Sequence, residues 1–170
     1  MIPPRPVPRA RLRELLDAAG LGPTRTYIQS GNALVCAAGR AADDVAAAVS
    51  EVLAEGFEVD TPVVAVDAGA LAAAVAEAPD GFGADKAVYL DDVVFLRPSL
   101  SVDDALAVVR ALEGVDRVWP GPGVLYFRRD ASAAGKSYLS KVVGTPEYQS
   151  MTIRNWRTTT TLAAMAAERR

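Results

Sequence analysis

The order of elements predicts an α+β protein built as two ferredoxin-like (βαββαβ) halves in tandem, the first lacking its opening strand. Three observations carry this. Short β-branched runs alternate with amphipathic helical stretches. A seam rich in Gly, Asp and Pro, Pro79 to Asp85, interrupts the chain. The element order before the seam recurs after it, at an offset of about 90 residues. The second half reads β-α-β-β-α-β, the split-βαβ order; the first reads α-β-β-α-β. The expected divisions are a first half over 1–78, a connecting loop over 79–90, and a second half over 91–170 with an extra C-terminal helix.

Each element has a local reason. Pro8 suits a helix start, Leu12, Leu15, Leu16 and Ala19 lie at helical spacing, and Gly20 supplies the stop, predicting a helix over Pro8–Ala19. A hairpin follows, Arg25–Gln29 against Ala33–Cys36, around Ser30-Gly31-Asn32. Val45, Val49, Val52 and Leu53 mark a second helix over Ala42–Ala54. The β-branched run Pro62–Val66 predicts a strand, and Asp67 an N-cap for a helix through Ala78. After the seam, Val93–Leu96 predicts a strand. Ser101 with Asp104 resembles a capping box opening a helix to Leu112, ended by Gly114. Arg117–Trp119 and Val124–Arg128 form a hairpin around Pro120-Gly121-Pro122-Gly123. A helix over Ala134–Val143, a strand over Met151–Arg154 and a helix from Thr159 complete the chain.

Composition removes several chemistries. The 170 residues are 51% hydrophobic and 23% charged, which is globular composition. There is no histidine, so histidine-based acid–base catalysis and histidine metal sites are excluded. No metal or other cofactor is expected. The single cysteine, Cys36, lies in the run Ala33–Ala37 and is expected to act as a small buried hydrophobe. It points to a reducing, cytoplasmic setting. No apolar stretch approaches the roughly 20 residues of a membrane span, so no membrane association is expected. The net charge of −3 gives no basic field for nucleic acid. The acidic doublets Asp43-Asp44, Asp91-Asp92 and Asp103-Asp104 place neighbouring carboxylates apart and make no ready dyad.

Two short polar-aromatic phrases stand out: Thr26-Tyr27-Ile28-Gln29-Ser30-Gly31-Asn32, and Thr152-Ile153-Arg154-Asn155-Trp156-Arg157-Thr158. Arg154 at a strand exit can offer a bidentate fork to a carboxylate or phosphate. Alternatively Asn155 and Thr158 tie a strand-to-helix turn while Trp156 fills the core. Gln29, Ser30 and Asn32 carry the same two readings. A third feature, Gly135-Lys136-Ser137, lacks the upstream glycine of a P-loop, where Asp130 stands instead. At a helix start, Lys136 and Ser137 would still offer an ammonium, a hydroxyl and backbone N–H groups to an anion; a solvated lysine after a Gly turn is the plainer reading.

With Pro6-Val7-Pro8-Arg9-Ala10-Arg11-Leu12, the two phrases resemble the bacterial family called domain of unknown function 1697, from about Val7 to the C-terminus. That resemblance implies an opening strand and an Arg-Gly-Ile-Asn loop ahead of this segment, where the chain has only Met1 to Arg5. A start site assigned too far downstream would explain the gap, and the exposed sheet edge would be open to a second chain. The family's Gly-x-Gly-x-Ser-Lys-Leu stretch matches the Gly135 region only loosely, and Arg157 replaces its second Asn. The expectation is binding of an anionic small molecule through Arg154, Asn155, Gln29, Ser30, Asn32, Lys136 and Ser137. An enzyme using carboxylate- or substrate-assisted chemistry is the alternative, and an RNA-binding module a third.

Overall fold

Gly20 ends the first helix as its sequence position suggests. The computed structural model describes residues 6–27 and 31–169. In it α1 (Arg9–Leu16) runs into a wider turn, Asp17–Leu21, within which Gly20 takes φ +80°. Pro8 stands just outside the helix as its N-cap. The chain divides into two units, Met1–Ala65 and Val66–Arg170. The division falls before the third helix, whereas the seam of the sequence lies after it.

In the first unit, β1 (Arg25–Tyr27) and β2 (Asn32–Leu34) pair antiparallel, with Thr26 opposite Ala33. α2 (Ala42–Phe57) ends where Glu58 turns left-handed at φ +53°. Leu16, Leu21 and Val45 form a small core flanked by Val49, Val52 and Ala65. Two expectations fail here. Pro62–Val66 is irregular; β-branched content is only a preference that context overrides. Cys36 is exposed. Because β2 stops at Leu34, the in–out alternation that would bury Cys36 does not reach it.

The second unit is larger. Asp67 caps α3 (Ala68–Ala76) as expected, accepting from the Ala70 N–H at 2.8 Å. β3 (Tyr89–Leu96), β4 (Asp116–Gly121), β5 (Val124–Asp130) and β6 (Met151–Asn155) form one sheet of order β4-β5-β3-β6. All neighbouring strands are antiparallel. α4 (Val102–Val108) joins β3 to β4, and α5 (Trp156–Ala167) follows β6 without a loop. The architecture is thus mixed α+β, with two small sheets and several helices.

Alternation gives the four-stranded sheet two distinct faces. One presents Val94, Leu96, Leu125, Phe127 and Met151 to Ala105 and Val109 near α4 and to Leu139 and Val142. On the other lies Tyr126, whose hydroxyl donates to the Ala74 carbonyl at 2.6 Å and so satisfies an acceptor in the last turn of α3. The Pro79–Asp85 seam is packed structure. Phe82 is buried and meets Trp119, Tyr126 and Trp156 edge-on, at centroid distances of 6.2, 5.4 and 5.1 Å.

Two further helices differ from expectation. α4 opens on the anticipated Ser101 cap, whose Oγ accepts from the Asp104 N–H at 3.1 Å and donates to the Asp104 carboxylate at 2.7 Å. It stops at Val108, not Leu112, because the Leu112 N–H is taken at 2.9 Å by the buried Asp116 carboxylate. Ala134–Val143 is not an α-helix. The chain makes three tight 3₁₀ segments, Ala131–Lys136, Leu139–Gly144 and Pro146–Ser150. Side chains hold these short turns in place of a helical ladder. Asp130 accepts from the Ser132 N–H, Ser137 Oγ from the Leu139 N–H, and Thr145 donates to the Val142 carbonyl. Among the described residues no helix is long and apolar enough to cross a membrane.

Candidate functional site

The strand doublets Asp91-Asp92 on β3 and Arg128-Arg129 on β5 explain the site. Asp91 lies opposite Arg128 in the antiparallel register. Since successive strand residues face opposite ways, the doublets make one ion pair on each side of the sheet.

The first pair is structural. Arg128 grips Asp91 through two nitrogens, Nε at 2.7 Å and Nη2 at 2.8 Å, and donates from Nη2 to the Gly81 carbonyl at 2.9 Å. Asp91 also accepts from the Gly83 N–H at 2.6 Å. The guanidinium lies 4.3 Å from the Tyr89 ring centroid. Hydrogen bonding to Asp91 is the main cause that raises Arg128 above the usual arginine pKa. This cluster pins the 79–85 segment to the sheet.

The second pair borders a cleft. Arg129 Nη2 donates to Asp92 at 2.7 Å, the only side-chain hydrogen bond of Arg129 among the described residues. The Asp92 side chain is buried and that of Arg129 is 25% exposed. Arg129 Nε is buried with no partner among the described residues; so is Oδ1 of Asp116, the residue opposite Arg129 on β4. On this face an open-sided cleft of about 360 Å³ is lined by Arg129, Ser137 and Ser140, with Leu139, Val143 and Ile153 as its larger apolar walls. Ala134 and Gly135 complete the lining. From Ala131 to Thr145 the chain carries two of its three lysines, Lys136 and Lys141, and no acidic residue. Lys141 rests 3.5 Å from the Tyr138 ring centroid.

The expected residues divide among different places. Ser137 lines the cleft and Lys136 is its exposed neighbour, but no α-helix starts there to aim backbone N–H groups at an anion. Arg154 lies on the sheet face opposite Ile153, its register partner being Val93. It donates to Thr152 Oγ1 at 2.6 Å and to the Ile153 carbonyl at 2.9 Å. Burial is the chief cause lowering its pKa below the usual arginine value, and Tyr148 acts the other way. The carboxylates of Asp91 and Asp92 on the adjoining strand are held by Arg128 and Arg129. Asn155 caps α5, accepting from the Thr158 N–H at 2.8 Å. Trp156 packs on Phe82 and covers Gly83, whose absent side chain leaves room for the indole. In the first unit, Asn32 is buried and donates to the Tyr27 carbonyl at 3.3 Å. Gln29 and Ser30 lie outside the described residues, as do Met1 to Arg5, to which the missing opening strand refers.

Sequence reading missed Arg129 and Asp92 as site residues. A signal was present: an acidic doublet and a basic doublet, each within a strand, can pair across a sheet on both faces. Among the described residues, no three of Asp, Glu and Cys are grouped so as to hold a metal ion.

Comparison with known proteins adds a family and a fold. The model of a family described as "Protein of unknown function (DUF1697)" matches residues 3–126. No curated protein matches the chain. Among solved structures, the conserved bacterial protein SP0830 from Streptococcus pneumoniae is similar with a TM-score of 0.79 at 22% identity. That match covers 95% of this chain and 89% of the other, and at this identity it speaks for the fold alone.

Proposed function

The chain belongs to the DUF1697 family of proteins of unknown function, and we propose that it binds an anionic small molecule in the cleft of its second unit. One observation carries this reading. Arg129 sits in the cleft lining with one nitrogen fastened to Asp92, so the guanidinium is held in place while Nη1 makes no hydrogen bond among the described residues. A fixed guanidinium loses little freedom on meeting an anion. Ser137 and Ser140 add hydroxyls beside it, and Lys136 and Lys141 add positive charge on the segment that forms the wall. The volume falls at the small end of ligand pockets, roughly 300–1,000 Å³.

A thermal-shift panel of carboxylates, phosphates and sulfonates tests the reading. At least one anion should raise the melting temperature of the wild type by mass action, and Arg129→Gln should remove that rise. A panel without any Arg129-dependent shift contradicts it.

The strand order β4-β5-β3-β6, with α4 crossing between β3 and β4, supports reading the second unit as a ferredoxin-like half. In the first unit, α1, the β1–β2 hairpin and α2 follow one another in the order of the expected repeat, with no strand described between α2 and α3. We read the two as an internal repeat on that order. The single cysteine favours a reducing, cytoplasmic setting.

A further inference from the structure

Resting on the cleft reading above, we infer that the ligand is a monocarboxylate with a compact, branched or flat apolar body, and not a phosphate ester. Charge argues first. Arg129 is the only charged side chain in the lining, and Asp92 already pairs with it at 2.7 Å. On the same face, the buried Asp116 carboxylate lies opposite Arg129, with Oδ2 accepting from the Leu112 and Tyr138 N–H groups. Arg129, Lys136 and Lys141 set against Asp92 and Asp116 leave one net positive charge around the cleft, which a single negative charge balances. A phosphate dianion would ask for further cations or a helix N-terminus pointing at it, and the lining supplies neither.

The hydroxyls argue second. Ser137 Oγ accepts from the Leu139 N–H at 3.2 Å. Its acceptor side is engaged, so its own proton is directed elsewhere and can serve a carboxylate oxygen alongside Arg129. Third, the remaining walls are Leu139, Val143, Ile153 and Ala134, aliphatic surface that stabilises an apolar body and gives nothing to a sugar or a second phosphate. Val143 is 55% exposed, an apolar group standing at the open side.

The experiment titrates the full chain with isovalerate, benzoate, isovaleramide and inorganic phosphate, read by calorimetry and thermal shift. Isovalerate or benzoate should bind, the neutral isovaleramide roughly tenfold or more weaker, as loss of a charge-assisted hydrogen bond implies, and phosphate weaker than the carboxylates. Arg129→Gln should abolish carboxylate binding. Because that change also leaves Asp92 unpaired, Val143→Asp is the second variant. It alters an exposed position, should keep the wild-type melting temperature, and should weaken carboxylate binding about fivefold or more by like-charge repulsion. Arg129-dependent phosphate binding tighter than carboxylate binding overturns this inference while leaving anion binding in place. Amide binding equal to carboxylate binding, or Val143→Asp binding isovalerate as wild type does, also overturns it. If neither carboxylate nor phosphate binds, the cleft reading itself falls.

Discussion

Tyr126 and Asp130 lie on the same strand, and their environments move them in opposite directions. Burial first, and Glu77 second, raise the Tyr126 phenol above the ordinary tyrosine value. A raised acid is favoured protonated in the fold. Its contribution is therefore complete below about pH 10, the unfolded value, and is lost as pH rises through the folded one. Tyr126→Phe should cost about 1–2 kcal/mol at neutral pH by leaving the Ala74 carbonyl without its donor, and the gap to wild type should narrow in alkali. Denaturant unfolding at neutral pH and at pH 11 measures both; a gap that widens in alkali contradicts the assignment. Asp130 is exposed, and its pKa is lowered chiefly by the Ser132 hydroxyl, which donates to it at 2.6 Å. Any stability it lends is present above about pH 4 and lost as pH falls through its folded value. Ser132→Ala should move the Asp130 carboxyl titration upward in carbon-detected NMR, and an unmoved titration would show that the backbone N–H groups alone set it.

At the scale of elements, the sequence was most legible where a single residue decides a boundary. Gly20, Asp67 and Ser101 each mark one, and each acts there in the structure. It was least legible where side chains compete with the helical ladder. The helix expected over Ala134–Val143 dissolves into 3₁₀ turns because Asp130, Ser137 and Thr145 offer local hydrogen bonds that compete with a helical ladder. α4 ends early because Asp116, four residues past Leu112, captures the Leu112 N–H. The polar phrase around Arg154 supplies a helix cap, an indole packed on Phe82 and a half-buried arginine bonded within its own strand. The cleft arginine was hidden in an unremarkable doublet, since only strand register reveals which carboxylate it meets. The junction gives the third prediction. Trp156→Ala should destabilise by roughly 3 kcal/mol, as truncation of a packed aromatic does. Gly83→Ala should cost about 1–3 kcal/mol, because Gly83 holds φ +77° and a methyl there meets the indole. Urea unfolding checks both, and losses below about 0.5 kcal/mol would show that the indole does not hold the 79–85 segment.

The whole molecule is two units, each with its own sheet and core, and the cleft belongs entirely to the second. Its two ion pairs divide labour across one sheet. Arg128 and Asp91 hold the packed segment on one face, and Arg129, tied to Asp92, lines the cleft on the other. The central claim is that Arg129, and not Arg154, meets the ligand. Arginine side-chain NMR tests it most directly, following the Nε resonances of both residues while isovalerate is added to the full chain. The account predicts a saturable shift at Arg129 with Arg154 unchanged. A saturable shift at Arg154 with Arg129 unmoved would contradict it.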